Sequence, residues 1–136
     1  MNLPQRAVLD SFAILCLLQG EKGADRVQTY LEAARRRKTT LSLNMINAGE
    51  VFYVTYRNEG EMRAFETWGL VKNFPVEIIQ NDERMVLEAA HLKGRYPLSY
   101  ADAFAAATSL RNEAVLVTGD PEFRPLSKFI EIDWLR

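Results

Sequence analysis

The sequence predicts an α/β fold, in which a mostly parallel, about five-stranded central sheet is covered by helices on both faces as an α/β/α sandwich. Three observations lead there. Short apolar runs alternate along the chain with stretches of helical periodicity. Most of these runs end on a residue type that caps or turns into the next helix. The 136 residues contain no repeat, low-complexity segment or linker, which suits one domain over 1–136 with a sizeable core.

Taken in order, Arg6, Ala7, Val8 and Leu9 read as the first strand, and Asp10-Ser11 opens a helix to about Gln19. That helix carries the single cysteine, Cys16, among Phe12, Ile14, Leu15, Leu17 and Leu18, which reads as a buried core thiol. One cysteine allows no internal disulfide and suits a reducing cytoplasm. The apolar run is too short to span a bilayer, and the first residues do not form a signal peptide, so no membrane association is expected. After a turn at 20–23, Val27, Tyr30, Leu31 and Ala34 form the stripe of a helix over 24–38. Residues 39–46 are read as the second strand. Asn47-Ala48-Gly49-Glu50 resembles a capping box opening a helix over 51–57, which Asn58-Glu59-Gly60 interrupts. Met62, Phe65, Trp68, Leu70 and Val71 mark a further helix, Pro75 starts a third strand over 76–79, and Asp82 caps a helix ending near Gly94.

The stretch from Leu98 to Phe123 holds the chain's strongest signals. Ser99 with Asp102 three positions on is a helix-start pattern. The helix that follows is apolar nearly all round, with Ala103, Phe104, Ala105, Ala106 and Ala107, and must therefore be buried. Residues 114–118 read as a core strand, and Gly119-Asp120-Pro121 turns the chain with Asp120 as N-cap and Pro121 at the first helical position. A last strand is expected at 129–132.

In parallel sheets ligands collect beyond the carboxyl ends of the strands, where the strand order switches. The acids that follow a strand or open a helix are Asp10, Glu50, Asp102 and Asp120. Each alone can be a plain cap or a complement to a helix end, worth about 1 kcal/mol. Together they are harder to explain as caps. At about 4 Å and an effective dielectric near 20, each pair of carboxylates costs on the order of 4 kcal/mol unless protonated or neutralised. Ser, Thr or Asn caps avoid that repulsion. An oxygen-only donor set suits a hard cation such as Mg²⁺ or Mn²⁺, one ion or two. One Cys and one His, His91, offer no zinc set. Such a cation suits phosphodiester hydrolysis, because it activates water and stabilises charge on the leaving oxygen. No Walker loop and no G-x-G-x-x-G is present, so nucleotide cradling is unsupported.

The four acids in this order resemble a PIN domain, and the details are similar to the VapC-type ribonuclease toxins of prokaryotic toxin–antitoxin pairs. The matching segments are Val8-Leu9-Asp10-Ser11, Asn47-Ala48-Gly49-Glu50, Leu98-Ser99-Tyr100-Ala101-Asp102-Ala103 and Val117-Thr118-Gly119-Asp120-Pro121-Glu122-Phe123. The resemblance implies a Rossmann-like sheet, Mg²⁺- or Mn²⁺-dependent RNA cleavage and a cognate antitoxin, and members of the family are commonly homodimers. It implies Asp10 and Asp102 as direct metal ligands, with Asp120 as a further ligand or a water-positioning group. Glu50 would be a general base or outer-shell group, and Thr118 a hydroxyl that orients water or phosphate. Asn47 stands where many relatives carry Thr or Ser, and Ser11 is a candidate neighbour.

Net charge is −1, so no overall basic field announces a nucleic acid, although RNA phosphates need cations somewhere. Arg35-Arg36-Arg37-Lys38 reads as a favourable helix end. Lys93, Arg95, Arg111, Arg124 and Lys128 lie nearer the acids in sequence and are better phosphate-contact candidates. Tyr96 and Tyr100 flank the third motif as stacking or packing residues. The Met62, Phe65, Trp68 stripe suits a helix or subunit contact, or an amphipathic antitoxin segment. A phosphoacceptor receiver domain lacks its acid pair after strand one, and a dehalogenase-type phosphatase lacks D-x-D there. The serious alternative is a catalytically silent PIN-like module that binds RNA or protein.

Overall fold

β1 (Arg6–Leu9) buries Ala7, Val8 and Leu9 in succession, as a strand covered on both faces must. In the computed structural model, which describes residues 2–135, it lies at the centre of a five-stranded, all-parallel sheet of order β3-β2-β1-β4-β5. The other strands are β2 (Thr40–Asn44), β3 (Glu77–Ile79), β4 (Val115–Thr118) and β5 (Ile132–Trp134). The chain builds outward from β1 to β2 and β3, then crosses back to β4 and β5. The strand order therefore switches between β1 and β4, where a parallel sheet leaves a crevice.

The helices are α1 (Ser11–Gln19), α2 (Ala24–Arg35), α3 (Met45–Glu59), α4 (Glu61–Lys72), α5 (Glu83–Arg95) and α6 (Tyr100–Asn112), with a short 3₁₀ helix over Pro121–Leu126. One face of the sheet packs on α5, α6 and the 3₁₀ helix, through Met85, Ala89, Ala103, Ala106, Leu116 and Phe123. The other packs on α1 to α4, through Ile14, Val27, Tyr30, Leu31, Leu43, Val51 and Val71. α6 is buried continuously from Asp102 to Ser109, the expected fate of a helix without a polar face. The edge strand β5 is tied to α2 by Asp133, whose carboxylate accepts from Arg26 Nη2 at 2.7 Å and from the buried Tyr30 hydroxyl at 2.5 Å.

Two expected boundaries are corrected. Strand two ends at Asn44 rather than 46, because Asn44 itself is the N-cap and accepts from Ile46 N–H at 2.9 Å. α3 thus starts two residues before the expected capping box, and Asn47 and Glu50 lie inside its first turns. It runs to Glu59, where Gly60 at φ +93° makes the break. The last strand starts at Ile132 rather than 129, because the N–H groups of Phe129 and Ile130 both turn back to the Leu126 carbonyl at 3.0 Å.

Gly119 links β4 to the 3₁₀ helix under the Phe12 ring. A Cβ there would overlap that ring and lie 2.9 Å from the Leu135 carbonyl oxygen. The exposed ring can shift, but the carbonyl belongs to the backbone. Gly119→Ala is expected to lower stability by about 1–3 kcal/mol in denaturant titrations. Wild-type stability in that variant would show that the turn is not close-packed.

Candidate active site

Asp10, Asp102 and Asp120 sit where helices start at the carboxyl edge of the sheet, and Glu50 lies one turn further into α3. Asp10 follows β1 and caps α1, accepting from Ala13 N–H at 2.9 Å. Its second oxygen accepts from Thr118 Oγ1, at the end of β4, at 2.5 Å. That bond spans the β1/β4 switch. The Thr118 hydroxyl oxygen in turn accepts from Asp120 N–H at 3.0 Å, so one side chain sets the spacing between two acids. Asp120 caps the 3₁₀ helix through Glu122 N–H at 2.9 Å. Asp102 lies in the first turn of α6, behind the Ser99 cap. Glu50 is half-buried on α3 and accepts from Ser11 Oγ at 2.6 Å, which joins α3 to the start of α1.

The electrostatics show that these groups feel one another. Asp10 is fully buried, and its pKa is pushed up to about 7 by loss of solvent, with Asp120 and Glu50 adding repulsion against the bonds from Thr118 and Ala13. Asp102 is also buried and is pushed up to about 9, first by desolvation, then by its hydrogen bond with Glu122 and by the charges of Asp120 and Asp10. Glu122 is exposed and shifts the other way, held down by its bonds with Asp102 and Ser99 N–H. The proton of that pair therefore resides on the buried member.

Carboxylate oxygens of Asp102, Asp120 and Glu122 come within 4.8 Å of one another. Glu122 carried no assigned role in the sequence reading. An acid two residues after an acidic N-cap looks like a complement to the helix end, and only the packing of α6 against the 3₁₀ helix brings it beside Asp102. Asp10 and Glu50 stand outside that triplet but in electrostatic contact with its neighbourhood. The donors are all oxygen, and two are buried acids that ionise only at a cost. Such a set fits a hard divalent cation, whose charge removes both the repulsion and the desolvation penalty.

Asn47, fully buried on α3 one turn before Glu50, donates Nδ2 to the Ala101 carbonyl at 3.0 Å, beside Asp102. Its Oδ1 has no hydrogen-bond partner, a state that typically costs about 1–3 kcal/mol.

The cations divide by position. Arg35, Arg36, Arg37 and Lys38 precede β2 and so lie at the opposite edge of the sheet from the acids. Arg111 sits at the far end of α6 from Asp102 and pairs with Asp82 and Glu88, which removes it from the phosphate-contact candidates. Lys93 Nζ donates to the Leu98 carbonyl at 2.9 Å and lowers the Glu122 pKa by its charge, and the exposed Arg95 and Arg124 lie on the elements that border the site. Lys128 is also exposed, beyond the 3₁₀ helix. Tyr96 is half-buried against Phe129, whereas Tyr100 is exposed with its ring on Phe104. Met62 and Phe65 are exposed on α4, and Trp68 is partly buried. Among the described residues no helix is long and apolar enough to cross a membrane.

Parallel strands whose carboxyl ends gather several carboxylates define the class: an α/β protein with an acidic cluster at its strand ends. The chain belongs to the PIN domain family, whose pattern matches residues 7–128. No curated protein matches it. Among solved structures it resembles VapBC2 from Rickettsia felis bound to a promoter DNA fragment, at TM-score 0.74 and 14% identity over 96% of this chain and 99% of that one. It also resembles VapBC-1 from nontypeable Haemophilus influenzae, at 0.70 and 20% over 96% and 98%. Mycobacterium tuberculosis VapC20, described as a sarcin-ricin loop cleaving toxin, matches at 0.70 and 14% over 92% and 97%. At these identities the likeness is one of fold, and the structural neighbours are VapC toxins of VapBC toxin–antitoxin systems.

Proposed function

We propose that this chain is a Mg²⁺- or Mn²⁺-dependent endoribonuclease that hydrolyses RNA phosphodiester bonds, acting as the toxin of a toxin–antitoxin pair. The observation that carries the reading is the pair of buried acids, Asp10 and Asp102, gathered among further carboxylates at the sheet's switch point and pushed above the usual carboxylate range by desolvation. Nothing in folding alone calls for that expense. Asp102 and Asp120, with Glu122 beside them and Asp10 and Glu50 in electrostatic reach, would hold one or two cations. A bound divalent ion supplies a lowered water pKa and charge stabilisation at phosphate.

The chain's own groups do the rest. Thr118 fixes the Asp10 and Asp120 carboxylates relative to each other through its hydroxyl. Glu50, held by Ser11, is the base candidate, being half-buried and outside the tight triplet. Lys93, Arg95 and Arg124 would neutralise backbone phosphates at the rim. The chain would act in the cytoplasm as a single-domain protein, dimerise, and meet an antitoxin whose amphipathic segment lies on apolar helix surface such as Met62 and Phe65.

The direct test is cleavage of an unstructured fluorescent RNA with added Mg²⁺ or Mn²⁺ and with EDTA. Turnover that needs the ion and stops with chelator is expected. RNA binding with no cleavage under any divalent ion would instead assign the chain to a silent RNA-binding module.

A further inference from the structure

Asn47 is placed among the acids without being one of them. Its amide donates to the carbonyl of Ala101, the residue before Asp102, and it shares a helix face with Glu50 three positions on. A carbonyl only accepts, so Nδ2 must be the atom facing Ala101, which fixes Oδ1 as the unpaired end. The large majority of buried acceptors in native proteins are paired, and those without a protein donor are commonly paired by ordered water. Glu50, three residues on along α3, and Asp102, next to the Ala101 anchor, are acids. One accepts from Ser11, and the other is directed at Glu122, so neither supplies a donor to Asn47.

We infer that Asn47 is a positioning residue of the acidic site: Nδ2 anchors the first turn of α6, and Oδ1 accepts a hydrogen bond from a water held between α3 and α6. This deepens the nuclease reading and rests on it for its catalytic consequence. A neutral amide oxygen suits the place. It orients a water without adding negative charge to a cluster already strained by repulsion. It also couples the position of Asp102 on α6 to that of Glu50 on α3, because one planar amide contacts both the anchor and the water.

Three measurements test this. In a crystal structure of the protein at high resolution, an ordered water is expected at about 2.7–3.2 Å from Asn47 Oδ1. A dry pocket there, or a protein donor on Oδ1, overturns the inference whether or not the chain cuts RNA. Next, Asn47→Leu keeps the branched shape, with somewhat larger ends, and removes both polar groups. It is expected to reduce kcat for the fluorescent RNA on the order of tenfold to a hundredfold, with KM unchanged. Asn47→Ser restores an acceptor that can hold the water and is expected to recover much of that loss. Equal impairment in both variants, or wild-type turnover in Asn47→Leu, overturns the positioning role. Melting temperatures measured in parallel separate an unfolded variant from an inactive one. A wild-type protein that fails to cleave with Mg²⁺ or Mn²⁺ counts against the nuclease reading, and the water at Oδ1 then decides the inference alone.

Discussion

Asp102→Asn is expected to stay folded and to lose RNA cleavage. Asn has the shape of a protonated Asp, and Asp102 is already held neutral to a pKa of about 9 when no cation is present. The new amide can donate to Glu122 as the carboxylic acid does, so the pairing that ties α6 to the 3₁₀ helix persists. Above that pKa the substitution also spares the repulsion from Asp120 and Asp10. The melting temperature without metal should therefore equal or exceed that of the wild type. With the ligand gone, the rise in melting temperature on adding Mg²⁺ should shrink. Cleavage should fall by more than the roughly 10–100-fold typical of losing an outer-shell partner of a metal. Cleavage assays beside circular dichroism melts check both halves. A variant that cuts at the wild-type rate removes Asp102 from the chemistry, and one that does not fold contradicts its neutrality.

The second large effect is on stability against pH. In the cation-free protein Asp10 and Asp102 keep protons that the unfolded chain releases near pH 4, since their pKa values rise from 3.8 to about 7 and about 9. The folded state thus binds more protons than the unfolded one across that interval. Unfolding free energy must then fall as pH rises, by about 1.4 kcal/mol per unit for each group while it remains protonated only in the fold. The stabilisation is complete below pH 4. Asp10's share is exhausted near pH 7 and Asp102's near pH 9. A divalent cation favours the ionised carboxylates, so its addition should flatten the profile and should raise the melting temperature most at alkaline pH. Thermal melts from pH 5 to 9 with EDTA and with Mg²⁺ give the comparison. A cation-free protein whose stability rises over that interval would show that the two acids ionise freely in the fold.

Both expectations trace to residues whose types were visible in the sequence and whose energetics were not. Asp10 and Asp120 are legible as caps because a cap bonds to N–H groups two or three residues away, and such local geometry is written in neighbouring letters. The same holds for Ser99 and for the buried face of α6. Where two local signals compete, the sequence misleads. Asn44 and Asn47 are both good N-cap types three residues apart, and the choice of Asn44 follows from where β2 leaves the sheet. The last strand slips to Ile132 because the backbone at Phe129 and Ile130 bonds back to Leu126 and pairing with β4 begins only at Ile132.

By itself the sequence determined the α/β alternation, most of the caps, the apolar strands and the presence of four acids near helix starts, because each depends on contacts within a few residues or on simple periodicity. Only the tertiary structure decided that Thr118 bridges Asp10 to Asp120, that Glu122 joins Asp102, that Arg111 faces away, and that Asn47 carries an unpaired oxygen. Those facts depend on desolvation and on contacts such as that of Thr118 with Asp10, 108 positions apart in the chain, set by strand order and helix packing.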